Sequence, residues 1–237
     1  MTMNDIKGKV FLITGASTGI GEATARRAVE AGFNVVLAAR STEKLDRLQA
    51  ELGPQRALAV TCDVADWHSQ VNLVTQTMNR FGRIDVVFAN AGFSKGSTFY
   101  GGDDKPEEWR EMVLVNVYGA AATARLTLPE LVKNSGHFLI TGSVVGRVTS
   151  IRNLYSATKW AVTGMAQAIR NEMTATGVRV TLVEPGVVDT PFWDNLQKPC
   201  ASELQPDDIA RAVMYAVLQP PHVDVNEILI RPTGQPQ

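Results

Sequence analysis

Residues 9–21 read KVFLITGASTGIG, an apolar run followed by three glycines within seven residues. The apolar run predicts a buried β-strand, and the residues from Gly19 to Ala31 have the spacing of an amphipathic helix. Glycines let the main chain approach a ligand closely, and the N–H groups that open a helix attract phosphate. A strand, a glycine turn and a helix in this order predict a site for the pyrophosphate of a dinucleotide. A tight turn that holds no ligand is the alternative.

Short apolar runs and longer amphipathic segments alternate along the rest of the chain. We predict strands at residues 9–14, 34–39, 56–62, 85–89, 136–141, 178–184 and 227–230, and helices at about 19–31, 42–52, 66–81, 107–132, 153–176 and 206–218. Parallel neighbours need crossover connections, so this order predicts an α/β fold, a Rossmann-type doubly wound parallel sheet of about seven strands with helices on both faces. No linker separates the two halves, and residues 1–237 are predicted to form a single dinucleotide-binding and catalytic domain.

Composition argues against several classes of function. The 237 residues are 45% hydrophobic and 20% charged, and the formal net charge is -1. This balance gives no basic excess to drive binding to nucleic acid, and no apolar run reaches the roughly 18 to 20 residues that cross a bilayer. We therefore expect no nucleic-acid partner, no membrane partner and a cytoplasmic location. Cys62 and Cys200 have no CxxC pair or histidine cluster near them, so we expect neither a disulfide nor a metal site.

The end of the predicted second strand indicates which dinucleotide binds. NAD-binding sheets usually place an Asp or Glu about 20 residues beyond the glycine turn, where it accepts hydrogen bonds from ribose hydroxyls. In this chain Arg40 follows the strand, with Ser41 and Thr42 after it. A guanidinium can hold a 2′-phosphate in a bidentate pair, so the sequence predicts NADP(H) over NAD(H). The alternatives are that Arg40 is a solvated charge and that Ser41 or Thr42 only caps the next helix.

Two residues on the predicted helix from 153 to 176 have the chemistry of an acid/base pair. Tyr155 and Lys159 are four residues apart, so they share one helix face. An ammonium near a phenol is expected to lower the tyrosine pKa from about 10 toward the range of a working acid/base. Ser143, near the carboxyl edge of the predicted fifth strand, could orient a substrate oxygen. Asn116 lies in an apolar stretch, where a satisfied core amide is a more common role than a proton relay.

Together these motifs resemble the short-chain dehydrogenase/reductase family, in its compact single-domain branch. The resemblance is carried by residues 14–21 (TGASTGIG), residues 90–92 (NAG), Asn116, Ser143 and Tyr155-x-x-x-Lys159, which occur in the family's order. It departs from the family pattern in two places. Ala89 replaces the first Asn of the family's Asn-Asn-Ala-Gly motif. The interval of twelve between Ser143 and Tyr155 is one residue shorter than the interval expected for the family.

The resemblance implies an NADP(H)-dependent oxidoreductase that interconverts an alcohol and a carbonyl. Tyr155 would be the general acid/base, Lys159 would hold the nicotinamide ribose and tune Tyr155, Ser143 would position the substrate, and Asn116 would support a water relay. The implied cofactor-binding residues are Gly15, Ser17, Thr18, Gly19, Ile20, Gly21, Arg40, Asp63, Val64, Asn90, Ala91, Gly92, Tyr155, Lys159, Pro185, Gly186, Val188 and Thr190. Several have ordinary alternatives: Asp63 could cap a turn, and Pro185-Gly186 is a common loop pair.

The substrate is expected to bind beneath a lid at about residues 191–205. The predicted substrate-binding residues are Phe93, Ser143, Val145, Tyr155 and Trp193, with simple packing as an equal alternative for the apolar ones. The closing stretch, residues 208–233, is similar to NADP-dependent members such as clavulanic acid dehydrogenase and enzymes that oxidise 3-hydroxy acids. This similarity suggests a subgroup and leaves the small-molecule alcohol or carbonyl substrate open.

Three further interpretations accompany the resemblance. A dinucleotide-sensing protein without catalysis would keep the fold, although the intact set of catalytic residues argues against it. An epimerase or dehydratase of the longer two-domain branch is disfavoured by the glycine spacing. The family commonly forms dimers or tetramers through two long helices, and small residues within 119–124 and 157–168 allow close approach there, so we expect a homotetramer or homodimer. Packing within one chain is the alternative for those residues.

Overall fold

Seven strands form one parallel sheet in the part of the chain that the computed structural model describes, which is residues 6–95, 98–101, 104–148, 154–194, 196, 198, 200 and 202–235. In chain order the strands are β1 (Val10–Thr14), β2 (Asn34–Ala39), β3 (Ala57–Thr61), β4 (Val86–Ala89), β5 (His137–Thr141), β6 (Arg179–Pro185) and β7 (Glu227–Ile230). Their order across the sheet is β3-β2-β1-β4-β5-β6-β7. The predicted Rossmann-type fold is confirmed.

Helices connect the strands and cover both faces of the sheet. They are α1 (Gly19–Ala31), α2 (Thr42–Leu52), α3 (Trp67–Phe81), α4 (Pro106–Val113), α5 (Ala120–Asn134), α6 (Leu154–Met173) and α7 (Pro206–Val217). Helices α1, α2 and α7 contribute to one hydrophobic core, and α3, α5 and α6 contribute to the other. The sheet is therefore shielded from water on both sides.

Alternation of side chains along the strands explains the two cores. In β1, Phe11 and Ile13 belong to the core under α1, α2 and α7, whereas Val10 and Leu12 belong to the core under α3, α5 and α6. All four side chains are fully buried. A parallel strand that is covered on both faces needs apolar side chains on both, which is why β1 reads as an uninterrupted apolar run.

The predicted helix at 107–132 is wrong as a single regular helix. The chain forms α4, then a π-helical segment at Leu114–Gly119, then α5. The π segment contains Asn116, whose side-chain amide bonds to the backbone of Phe93. It also contains Gly119, where an added Cβ would lie 2.9 Å from Val64 Cγ2. These tertiary contacts fix the segment, and π-helical turns inside helices occur frequently at functional sites.

Most other boundaries agree with the sequence predictions to within one residue. The exception is the helix predicted at 153–176, which ends at Met173, while its predicted first residue, Asn153, lies outside the described residues. Among the residues that the structure describes, none of the helices has the length and apolar content that a membrane span requires.

Candidate active site

A cleft of about 980 Å³ opens along the carboxyl ends of the strands. Strand order reverses between β1 and β4, and doubly wound sheets bind ligands at such a point. Apart from Gly21, every predicted cofactor residue lines the cleft: Gly15, Ser17, Thr18, Gly19, Ile20, Arg40, Asp63, Val64, Asn90, Ala91, Gly92, Tyr155, Lys159, Pro185, Gly186, Val188 and Thr190. The predicted substrate residues Phe93, Ser143, Val145, Tyr155 and Trp193 line it as well.

The glycine turn after β1 has no room for side chains. Gly15 and Gly19 have φ values of 66° and 57°, a region that favours glycine. A Cβ on Gly19 would lie 2.9 Å from Thr190 Cγ2, and one on Gly21 would lie 2.3 Å from the Gly15 carbonyl oxygen. Gly21 therefore packs the helix onto the turn instead of lining the cleft. Thr18 stands at the N-cap of α1 without a side-chain capping bond, so this helix end fits a pyrophosphate group.

Asn90 ties the glycine turn to the neighbouring strands. Its side-chain Nδ2 donates to the Thr14 carbonyl at 3.1 Å, and its Oδ1 accepts from the Thr141 hydroxyl at 3.1 Å. The Thr14 hydroxyl in turn accepts from the Asn90 backbone N–H at 3.0 Å. Ala89, which replaces the family's first Asn, is buried in the core. Asn90 thus keeps its place in the cleft wall although the residue before it differs.

Arg40 reaches the cleft wall, but its guanidinium is not free. Its Nη1 donates to Glu111 Oε1 at 2.9 Å, and the two side chains are 62% and 46% exposed. Sequence reasoning missed this carboxylate because it lies 71 residues away. Ser41 occupies the N-cap of α2 without a side-chain capping bond, which weakens the capping alternative for that residue.

Asp63 lies at the cleft and also stabilises a turn. It lines the cleft, and its Oδ1 accepts from the backbone N–H of Ala65 at 2.9 Å. This contact is the turn-stabilising role that remained an alternative for an aspartate at this place.

Ser143, Tyr155 and Lys159 converge on one part of the cleft. The Ser143 hydroxyl is close enough to the Tyr155 phenol to lower its pKa, so the short interval between them does not keep them apart. Lys159 Nζ lies 5.5 Å from the centre of the Tyr155 ring and donates to the Thr141 carbonyl at 2.7 Å. The Ser143 Oγ also accepts from the Val145 N–H at 3.3 Å, which fixes the loop after β5.

The expected lowering of the Tyr155 pKa is wrong for this structure. Withdrawal from water raises the pKa of the phenol above its usual value, and the Ser143 hydrogen bond opposes this only in part. Burial also lowers the pKa of Lys159 to about 8, because an ammonium loses hydration there. The lysine directs its charge at the Thr141 carbonyl. A cationic group bound beside the phenol would bring the tyrosine pKa down again.

Asn116 lies behind the cleft instead of lining it. Its Oδ1 accepts from the Phe93 N–H at 3.0 Å, and its Nδ2 donates to the Phe93 carbonyl at 2.9 Å and to the Thr158 hydroxyl at 3.1 Å. The side chain is thus a satisfied core amide, which was the alternative considered for it. It holds the loop after β4 against α6, the helix that carries Tyr155 and Lys159.

An apolar wall closes the substrate end of the cleft. The rings of Tyr155 and Phe192 have centroids 5.4 Å apart, and Phe192 contacts Trp193 edge-on at 5.1 Å. The indole N–H of Trp193 donates to the Val188 carbonyl at 2.9 Å, which anchors the short turn at Pro191–Trp193. Of the predicted lid at 191–205, residues 195, 197, 199 and 201 lie outside the described residues.

An ion cluster beside the cleft was missed by sequence reasoning. Arg147 Nε and Nη2 bond to Glu184 Oε1 and Oε2 at 2.6 and 2.9 Å, and its Nη2 lies 2.6 Å from Glu227 Oε2. The Glu184 side chain is only 1% exposed. Arg147 follows Ser143 by four residues, so the cluster ties the loop that carries Ser143 to β6 and β7. In the sequence, the cluster could have been suspected only from an arginine near Ser143 and a glutamate directly before Pro185-Gly186.

Known proteins share this architecture and much of the sequence. A family model described as short chain dehydrogenase matches residues 9–201. An uncharacterized oxidoreductase of Staphylococcus aureus (strain USA300) is 39% identical over 232 residues, which are 97% of this chain and 100% of the relative. The alcohol dehydrogenase of the archaeon Thermococcus sibiricus, complexed with 5-hydroxy-NADP, has a TM-score of 0.89 and 33% identity and covers 97% of this chain and 98% of its own.

A second solved structure is 3-ketoacyl-(acyl-carrier-protein) reductase from Brucella melitensis, complexed with NADH. Its TM-score is 0.86 at 29% identity, with 95% of this chain and 97% of that chain covered. The resemblance that the motifs indicated is confirmed at the level of the family. The chain belongs to the short-chain dehydrogenase family, and the relatives it matches are oxidoreductases, two of them solved with a nicotinamide dinucleotide.

Proposed function

We propose that this chain is an NADP(H)-dependent oxidoreductase that interconverts an alcohol and a carbonyl, with Tyr155 as its general acid/base. The observation that carries the proposal is the convergence of Ser143, Tyr155 and Lys159 in a cleft whose other end has a phosphate-type glycine turn. A hydroxyl pair beside a lysine provides the groups that an alcohol oxygen needs for proton transfer.

Two residues of the chain would act on the substrate oxygen, each with its own role. In reduction, Tyr155 gives its phenolic proton to the carbonyl oxygen while the Ser143 hydroxyl holds that oxygen in place. In oxidation, the same phenol accepts the proton. When bound, the dinucleotide would supply or accept the hydride. Lys159 would bond the ribose of the nicotinamide half, and a positive charge near the phenol would offset part of the effect of burial on the Tyr155 pKa. Phe93, Val145 and Trp193 would enclose the substrate and exclude water.

Arg40 supports NADP(H) as the cofactor. It is a cation at the place where NAD-binding sheets usually have a carboxylate, and it reaches the cleft wall with an exposed guanidinium. The Thermococcus enzyme was solved with an NADP derivative and the Brucella enzyme with NADH, so these two relatives together do not choose between the cofactors. The narrower similarity to clavulanic acid dehydrogenase stays a prediction.

Substitution of Tyr155 by Phe tests the proposal. The variant removes the phenolic oxygen and keeps the ring, so its contact with Phe192 survives. We expect it to bind NADPH as the wild type does and to lose nearly all carbonyl-dependent NADPH oxidation across a panel of aldehydes, ketones and 3-oxo acids. Retained turnover would refute the assignment of Tyr155. Tight NADPH binding by the wild type without turnover on the whole panel would favour the dinucleotide-sensing alternative.

A homo-oligomer formed through α6 is also proposed. Of the small residues at 119–124, Gly119, Ala120, Ala122 and Ala124 are buried within the chain, which is the packing alternative. One face of α6 exposes small side chains around Trp160, which is itself 46% exposed; these are Ala157, Ala161, Gly164 and Ala168. Small residues allow helices from two copies to approach closely. Ala161→Arg would place a charge on this face, so we expect it to shift the species seen by light scattering to a monomer. A wild type that is itself monomeric would contradict this.

A further inference from the structure

Charge is unevenly distributed around the cleft. Its charged lining residues are five cations, Arg40, Lys95, Arg147, Lys159 and Arg231, and one acid, Asp63, counted within the described ranges. Asp63 follows β3, and Arg231 follows β7, at opposite edges of the sheet. Six strand spacings of about 4.8 Å separate them by about 29 Å. That separation exceeds the screening length of about 8 Å in physiological salt, so Asp63 does not neutralise the substrate end.

Four of the five cations already have partners. Arg40 pairs with Glu111, Lys159 donates to the Thr141 carbonyl, and Lys95 lies 3.9 Å from Glu108. Arg147 is engaged by both Glu184 and Glu227, so it brings no surplus positive charge to a ligand. Arg231 differs: no carboxylate or carbonyl of a described residue pairs with its guanidinium, although the residue is exposed and lines the cleft.

The backbone of Arg231 is held firmly at the nicotinamide end of the proposed cofactor site. The Gly186 N–H donates to the Ile230 carbonyl at 2.7 Å, and a Cβ on Gly186 would lie 3.1 Å from the Arg231 Cα. Farther along the tail, Gln235 Oε1 accepts from the Val187 N–H at 2.9 Å. Ile230 and Gln235, on either side of Arg231 in the chain, therefore both bond to the loop that begins at Pro185-Gly186. A fixed backbone whose guanidinium has no partner among the residues that the structure describes is suited to holding an anion.

Apolar side chains line the same cleft as this cation. Leu229, two residues before Arg231, is 45% exposed and also lines the cleft. Val148, Phe192 and Leu196 line the same cavity. A ligand for this end needs a short apolar part and one negative charge. The planar fork of a guanidinium matches the two oxygens of a carboxylate.

We propose that Arg231 is an anion-binding residue of the substrate site and that the substrate is a small hydroxy acid or oxo acid whose carboxylate pairs with its guanidinium. The inference rests on the proposed oxidoreductase function and adds the class of substrate to it. The carbonyl or hydroxyl of the acid would lie at Ser143 and Tyr155, and its carboxylate would lie at Arg231. Removal of the guanidinium weakens binding of the acid and leaves an uncharged analogue unaffected.

A matched pair of carbonyl compounds tests the inference. NADPH oxidation is measured with acetoacetate and with methyl acetoacetate, which differ in the charge and in one methyl group. We expect the wild type to prefer the acid in kcat/KM. Arg231→Gln should reduce this preference about tenfold or more, mostly through KM for the acid, since a hydrogen bond to a charged group contributes at that level. Arg231→Lys should restore part of the preference because it keeps the charge.

Lys7→Gln is the control for net charge. Lys7 is exposed and precedes β1, at the amino edge of the sheet opposite the cleft, so its loss should not change the preference. Equal turnover of acid and ester by the wild type, or a preference that Arg231→Gln leaves intact, overturns the inference and leaves the oxidoreductase function standing. No oxidation of NADPH with either compound or any other carbonyl, although the cofactor binds, overturns the function and the inference with it.

Discussion

Replacement of Lys159 by Met should make the protein more stable at pH 7 while abolishing turnover. Lys159 is 3% exposed, and burial lowers its pKa from 10.5 to about 8. Each unit of pKa shift corresponds to about 1.4 kcal/mol, so keeping the ammonium charged in the folded protein costs about 3 kcal/mol at pH 7. Loss of its hydrogen bond to the Thr141 carbonyl offsets about 1.5 kcal/mol or more, because the donor is charged. We expect a net gain of up to about 1.5 kcal/mol for the variant.

The sign of the pH dependence follows from the same shift. The folded pKa lies below the unfolded one, so the unfolded chain holds more protons between them and the wild-type stability rises from about pH 8 to 10.5. The charge penalty is complete below pH 8 and is mostly gone by about pH 10. The advantage of Lys159→Met should therefore be present at pH 7 and largely disappear at pH 10.

Denaturant unfolding at both pH values, at one fixed protein concentration, measures this difference. Lys44→Met is the control, because Lys44 is exposed on α2 and its replacement should change stability by no more than about 0.5 kcal/mol. NADPH oxidation is followed in parallel. A Lys159→Met variant that is less stable than the wild type at pH 7, or whose advantage is the same at both pH values, would refute the reasoning.

Two further predictions concern ion pairs at the cleft. Glu111→Gln should free Arg40 and strengthen NADPH binding by up to about fivefold, since an exposed pair contributes at most about 1 kcal/mol. Arg40→Asp should weaken the binding of NADPH relative to that of NADH. Calorimetry with both cofactors measures the affinities of the two variants. Arg147→Met should lower the free energy of unfolding by about 3 to 5 kcal/mol, because the buried Glu184 loses its partner. Glu227→Gln, at the exposed end of that cluster, should cost no more than about 1 kcal/mol; equal losses in the two variants would contradict the account.

The fold could be predicted because its strands are covered on both faces. Such strands are apolar throughout, as β1 shows with Phe11 and Ile13 in one core and Val10 and Leu12 in the other. The lengths of the crossover helices then allow few topologies. The π-helical segment escaped prediction because its cause is tertiary: the amide of Asn116 bonds to a loop 23 residues earlier. No local pattern of apolar residues predicts a contact between segments that far apart in the chain.

The site residues could be predicted from the order of their motifs, but the direction of their pKa shifts and their charge partners could not. The spacing of Tyr155 and Lys159 predicts that they are neighbours, and they are. It says nothing of how much water each loses, and burial reverses the expected direction of the Tyr155 pKa. In the same way Arg40 is visible in the sequence, whereas its partner Glu111 becomes apparent only when α4 is placed beside the end of β2.

Transfer of deuterium from NADPH labelled at C4 tests the central claim most directly. The wild type is incubated with the labelled cofactor and a ketone that it reduces, and mass spectrometry and NMR locate the label in the alcohol product. We predict one deuterium on the carbinol carbon with the wild type and almost no labelled alcohol with Tyr155→Phe at equal cofactor occupancy. Labelled alcohol formed at the wild-type rate by Tyr155→Phe would contradict the account.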